Sequence, residues 1–252
     1  SFPNYKNHSA IPNSTNWNDL LNRFEPKIDN YHPKLKDIWT IVFTSGTTGD
    51  PKGVVIDYNT IYLTKDIIEN KVNPLAVNRD GNNTLLSYLP LNHIFERVVI
   101  ESSCLRYGGT MSFVESLDSF GKNLADVQPT TFAGVPRIYN KFREKVLEKM
   151  SQKKLNTLLK IPIISKIVKN KIKKSLGWSR AGAIVSGAAF LPQEIIDWYS
   201  KLDVNILNGY GMTENCCVCS YLDTKSPKGK GSVGLPWDMV KVRIGDDGSI
   251  LN

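Results

Sequence analysis

Ten consecutive residues, Thr44-Ser45-Gly46-Thr47-Thr48-Gly49-Asp50-Pro51-Lys52-Gly53, constrain this chain more tightly than any other stretch. The apolar run Ile41-Val42-Phe43 before them reads as a buried strand, and Val54-Val55-Ile56 after them as a second strand. Between the two lies a loop rich in glycine and hydroxyl groups. Gly46 and Gly49 let successive backbone N–H groups turn inward without a Cβ in the way. Such a nest suits an anion, and the hydroxyls of Thr44, Ser45, Thr47 and Thr48 add donors. Lys52 supplies balancing charge, so the spacing predicts a polyphosphate ligand.

The loop is not the common phosphate loop, which requires Ser or Thr after its lysine; here Gly53 follows Lys52. Three further stretches read as strand-to-loop junctions. Leu89-Pro90-Leu91-Asn92-His93-Ile94-Phe95-Glu96-Arg97 follows a strand at Thr84–Leu89. Ala183-Ile184-Val185-Ser186 runs into the small residues Gly187, Ala188 and Ala189, which let a flat ring approach the backbone. Val204–Leu207 runs into Asn208-Gly209-Tyr210-Gly211-Met212-Thr213-Glu214, which offers an aromatic face, a hydroxyl donor and a carboxylate suited to a hard cation.

All four resemble the adenylate-forming superfamily of acyl-CoA synthetases, amino-acid adenylation domains and luciferases. The ten-residue loop matches that superfamily's phosphate-loop signature position for position, and Asn208–Glu214 matches its fifth core motif. LPLNHIFER and Val135-Pro136-Arg137-Ile138-Tyr139-Asn140-Lys141-Phe142 look like long-chain fatty acyl-CoA synthetases. The resemblance covers about residues 35 to 252. It implies that Thr44, Ser45, Gly46, Thr47, Thr48, Gly49 and Lys52 hold the triphosphate and that Gly187, Ala188 and Ala189 lie along the adenine. In the same loop system, Asn208, Gly209, Tyr210 and Gly211 complete the nucleotide site, with Tyr210 stacking on the base. Thr213 would contact the α-phosphate and Glu214 would hold Mg²⁺, with Thr44 as a second metal candidate. His93 would line the pocket of the reacting carboxylate. No Asp follows His93 of the kind that holds an amino-acid ammonium in adenylation domains.

The activity so implied is ATP-dependent conversion of a fatty acid to acyl-adenylate and then to acyl-CoA, with ATP, Mg²⁺ and CoA as cofactors and co-substrate. Adenylation of an aryl or amino acid is the alternative within the superfamily, and a non-catalytic nucleotide-binding or membrane-docking module the alternative outside it. The family's ribose-binding Thr-Gly-Asp and its C-terminal lid domain are absent from these 252 residues. The chain therefore reads as the central part of a larger enzyme, inactive by itself.

Composition adds limits. With 41% hydrophobic and 22% charged residues the chain has a globular composition, and it holds no apolar run of spanning length. Ser1-Phe2-Pro3-Asn4-Tyr5 reads as neither a signal nor a transit peptide, and the missing initiator Met suggests a trimmed chain. The net charge of +8 is local: Lys141–Lys174 holds twelve basic residues against Glu144 and Glu148, leaving the remainder slightly acidic. A nucleic-acid partner is thus not expected. Cys104, Cys216, Cys217 and Cys219 read as small buried hydrophobes in a reducing compartment, which points to the cytoplasm.

The expected fold class is α/β, with mostly parallel, doubly wound sheets and flanking helices, because strands and helices alternate with short links. Helices are expected at Asn59–Val72, Val98–Leu105, Leu117–Val127, from Pro136 onward, and at Gln193–Tyr199. Ile138, Phe142, Val146 and Met150 form a core-facing stripe. The expected layout is a surface connecting segment over 1–36, an adenylate-forming core over 37–235 with a basic helical insert at 151–178, and the start of a β subdomain over 236–252. Pro162 splits the insert into two helical pieces. Two readings of it stand: a helical hairpin packed on the body with its lysines in water, or a membrane-surface helix giving peripheral contact at the inner membrane face.

Overall fold

The computed structural model describes residues 15, 17–25, 31–44, 50–67, 82–222, 232–238 and 240–251. Residues 1–34 and 35–252 are two separate units. The described part of the first holds one short helix, α1 (Trp17–Leu21).

The second unit is built on a sheet with strand order β4-β3-β5-β6-β7-β8-β9. Its strands are β3 (Thr84–Ser87), β4 (Thr110–Phe113), β5 (Thr131–Gly134), β6 (Ala183–Ser186), β7 (Ile206–Tyr210), β8 (Ser220–Leu222) and β9 (Leu235–Pro236). The first five are parallel, and β8 and β9 run antiparallel at one edge. The expected α/β class with a mostly parallel, doubly wound sheet is what forms. After β3 the chain goes outward to β4, then returns past β3 to β5 and continues to β6 and β7. The order thus reverses between β3 and β5, which share only the Leu85↔Thr131 pair. Such a switch point opens a crevice at the carboxyl ends of parallel strands.

Alternation along the strands feeds two apolar layers. Leu86, Phe132, Ile184 and Ile206 face a large cluster supplied by α4 (Phe120–Val127), α5 (Pro136–Lys149), α6 (Gln152–Leu159), α7 (Pro162–Ser175) and α8 (Gln193–Ser200). Its centre is aromatic: Trp178 lies 5.4 to 6.1 Å, ring to ring, from Phe132, Tyr139, Phe142 and Tyr199. Two hydroxyls stitch the layers, Tyr139 Oη donating to the Val185 carbonyl at 2.7 Å and Tyr199 Oη to the Tyr139 carbonyl at 2.8 Å. On the other face Leu85 and Ala133 pack with Phe95 and Ile100.

Phe95 and Ile100 belong to a helix that follows β3. The sequence predicts a plain helix from Val98; the chain instead turns helical at Ile94, winds as a π-helical turn over Glu96–Glu101, and relaxes into α3 (Ser102–Tyr107). Ser102 Oγ donates to the Arg97 carbonyl at 2.7 Å, five residues back, in the wider register.

β1 (Ile38–Thr44) and β2 (Lys52–Asp57) pair antiparallel as a separate two-stranded sheet, followed by α2 (Tyr58–Ile67). The expectation of a fully buried strand before the glycine loop is corrected here. Val42 and Ile56 are buried, but Ile41, Phe43 and Val55 are 49, 69 and 58% exposed. A lone hairpin is covered on one face only, so alternate residues face out. The helix expected to reach Val72 is described to Ile67. At the far end β10 (Arg243–Ile244) and β11 (Ile250–Leu251) form a second hairpin.

The basic insert is two helices parted at Pro162. α6 and α7 pack together, and Leu155, Ile172 and Leu176 are buried in the large cluster. Among the described residues no helix is long and apolar enough to cross a membrane.

Candidate active site

Three of the singled-out stretches meet. Val42 and Ile56 of the β1–β2 hairpin, Ile94 and Val98 of the helix after His93, and Cys216 beyond Glu214 form one apolar cluster. The Arg97 guanidinium sits 5.1 Å over the Trp39 ring and ties the same helix to the hairpin, a cation–π contact. β2 also lies against the short 3-10 turn Thr213–Asn215. The base of the β1–β2 hairpin is thereby fixed beside the loop that follows β7. Thr44 and Lys52 face one another across the hairpin as its last pair. Ser45, Gly46, Thr47, Thr48 and Gly49 lie outside the described residues.

Beside this junction, at the carboxyl ends of β6 and β7, is a cavity of about 260 Å³. It brings together His93, Gly187, Ala188, Gly209, Gly211 and Thr213. Ala189, Asn208, Tyr210 and Glu214 do not line it. Asn208 is buried within β7, Tyr210 is half-buried at its end, and Ala189 and Glu214 are exposed. Apolar side chains make most of the wall, among them Val98, Val99, Val218 and Trp237. The Trp237 ring stacks on Tyr221 at 4.0 Å.

Local geometry sets each group. His93 precedes the helix, and its Nδ1 accepts the Phe95 N–H at 3.2 Å. In the neutral ring this assigns the proton to Nε2, which remains a donor. Gly211 is required by close approach: a Cβ there would stand 2.2 Å from the Cys217 carbonyl carbon. Asn215 Oδ1 accepts the Met212 N–H at 2.9 Å and closes the turn that presents Thr213. Ser186 and Asn208 are partners on neighbouring strands; their Oγ and Oδ1 are buried and make no hydrogen bond among the described residues. Of the two, Ser186 lines the cavity, where a buried polar atom of this kind is poised for a ligand or water.

Sequence reasoning missed Glu96. It is fully buried, and its Oε1 accepts the Tyr88 N–H at 3.1 Å, tying the helix to the end of β3. Burial pushes its carboxyl above the ordinary range, partly offset by the Ser87 hydroxyl and nearby backbone N–H groups. Cys217 and Val218 were also missed as cavity wall. The crowded thiols are buried or half-buried, and burial pushes Cys216 and Cys217 up to about 12. Both stay protonated near neutrality and serve as apolar filler.

A hard cation needs oxygen donors. Glu214 is exposed on its turn and forms no ion pair with the described residues. Among those residues no cluster of three His, Cys, Asp or Glu could hold a metal by itself. That donor set fits Mg²⁺ bound by one carboxylate together with ligand phosphates.

The family model described as AMP-binding enzyme matches residues 5–251. The chain belongs to the AMP-binding enzyme family. Within this adenylate-forming ligase superfamily, long chain acyl-CoA synthetase 5 of Arabidopsis thaliana is 30% identical over 90% of the chain. The match spans only 38% of that relative's length. Among solved structures of the AMP-binding fold, o-succinylbenzoate CoA synthetase from Bacillus subtilis, in complex with its acyl-adenylate intermediate, superposes with a TM-score of 0.64. It is 20% identical and covers 93% of this chain and 42% of its own. A malonyl-CoA ligase in a ternary product complex with methylmalonyl-CoA and AMP is 26% identical, with a TM-score of 0.56, over 84% of this chain and 40% of its own.

Proposed function

We propose that residues 37–235 are the nucleotide-binding core of an acid–CoA ligase that activates a long-chain fatty acid with ATP and passes the acyl group to CoA. The observation that carries this reading is the meeting of the β1–β2 hairpin, the His93 helix and the Gly209–Thr213 loop beside one apolar-walled cavity. In the first half-reaction the fatty carboxylate oxygen attacks the α-phosphorus of ATP, the bond to the bridging oxygen breaks, and pyrophosphate leaves. In the second the CoA sulfur attacks the acyl carbon and AMP leaves.

The chain's own groups position these reactants and neutralise charge. The glycine loop and Lys52 grip the outer phosphates, and Gly187, Ala188 and Ala189 flank the adenine on which Tyr210 stacks. The Thr213 hydroxyl donates to the α-phosphate, and His93 Nε2–H donates to the carboxylate. Glu214, with Thr44, would hold Mg²⁺, which supplies charge screening of the phosphates when bound. The Val98, Val99, Val218 and Trp237 walls exclude water and favour an alkyl chain over a charged side chain.

The test is acid-dependent ATP–pyrophosphate exchange across fatty, aryl and amino acids, run on the protein in its natural length. Exchange with long fatty acids supports the proposal. Exchange confined to aryl or amino acids overturns the substrate, and failure of ATP or AMP to bind in calorimetry overturns the nucleotide site.

A further inference from the structure

The α6–α7 hairpin carries a surface used by neither the cavity nor the core. α7 is two-sided. Ser165 and Ile172 are buried, Val168 packs on the large cluster, and Lys169 Nζ reaches Asp203 Oδ1 at 2.9 Å. Away from that side Ile163 is 77% and Ile167 61% exposed. One helical turn separates these two, so they stand together on the outward face. Ile161 and Ile164 flank them and are exposed as well. Isolated exposed apolar residues are ordinary, but four isoleucines within seven positions make a patch.

Charge surrounds the patch. Residues 151–178 contain eight lysines and no acidic residue. Lys160 and Lys166 lie among the isoleucines, and Lys171 and Lys174 continue the outward face; all four are exposed. Protein interfaces are depleted in lysine, so a buried protein contact suits this face poorly. A single-stranded nucleic acid would match the lysines but not the isoleucines, and the hairpin offers no aromatic ring for stacking before Trp178. An anionic bilayer accommodates both features at once: isoleucines enter the acyl boundary while ammonium groups meet the headgroup phosphates.

We propose that the outward face of the α6–α7 hairpin, centred on Ile163 and Ile167 and ringed by Lys160, Lys166 and Lys171, docks on an anionic lipid surface. Contact is peripheral, since neither helix is long and apolar enough to cross. The face is separate from the cavity, and its lipid contact does not depend on the reaction proposed there.

The experiment is co-sedimentation of the chain with vesicles of phosphatidylcholine, with and without phosphatidylserine. Expected is binding to the anionic vesicles only, falling as salt rises. Ile163→Ser/Ile167→Ser and Lys166→Glu/Lys171→Glu should each weaken it by about tenfold or more. All four side chains point outward, so the melting temperature of each variant should match that of the parent chain. A second readout covers any variant that melts early: an environment-sensitive dye on Ile163→Cys should shift to the blue on anionic vesicles, and the same dye on the exposed Leu117→Cys should not. Indifference to both vesicle types overturns the proposal. So does unchanged binding by the isoleucine variant, or displacement of the chain from vesicles by RNA with the isoleucines irrelevant to RNA binding.

Discussion

At the scale of single residues, two positions decide the site's shape. Gly211→Ala forces a methyl against the Cys217 backbone, so the loop that presents Thr213 must shift. Nucleotide affinity, read by calorimetry, should fall by at least about tenfold while the large cluster stays folded. Glu96 makes stability depend on pH. The native state holds its proton more tightly than the unfolded chain. The carboxyl therefore contributes stability in full below its ordinary 4.5, and this is lost as pH rises through the raised native value. Urea unfolding across that range should show a fall in stability with pH, and Glu96→Gln should flatten it. Cys216 and Cys217, held protonated by burial, should react with a disulfide reagent far more slowly in the native chain than in urea. Of these residues Gly211 was legible as part of a recognisable loop. Glu96 was not, because nothing within a few residues of it announces that packing will remove its carboxyl from water.

At the scale of elements, docking of the α6–α7 hairpin rests on few anchors. Leu155 is 1% exposed, whereas Ile163 stands in water. Leu155→Ala should cost about 2 to 5 kcal/mol in denaturant unfolding. Tyr139→Phe removes the hydroxyl that donates to Val185 and should cost about 1 to 3 kcal/mol by the same measure. Proline and periodicity foretold both the break at Pro162 and the stripe of Phe142 and Val146 on α5, since these act within one or two turns. The same local signals gave a plain helix where a π-helical turn forms. The wide register at Glu96–Glu101 is held by contacts to β3 and the hairpin, and these lie outside any local window.

At the scale of the whole molecule, the strand order places the reversal between β3 and β5, and the loops after β3, β6 and β7 gather on the carboxyl side of the sheet. By itself the sequence determined the glycine and hydroxyl content of the loop after β1, the alternation of strand and helix, and membership of the AMP-binding family. All three follow from residue types at fixed short spacing. Only the tertiary structure decided that the hairpin has a bare face and that Cys217, Val218 and Trp237 wall the cavity. It also decided that Glu96 is dry and that Ile163 and Ile167 are not. Burial is a property of pairs of residues far apart in the chain, settled by which layer covers which face, and no spacing within one segment encodes the cover that another segment provides.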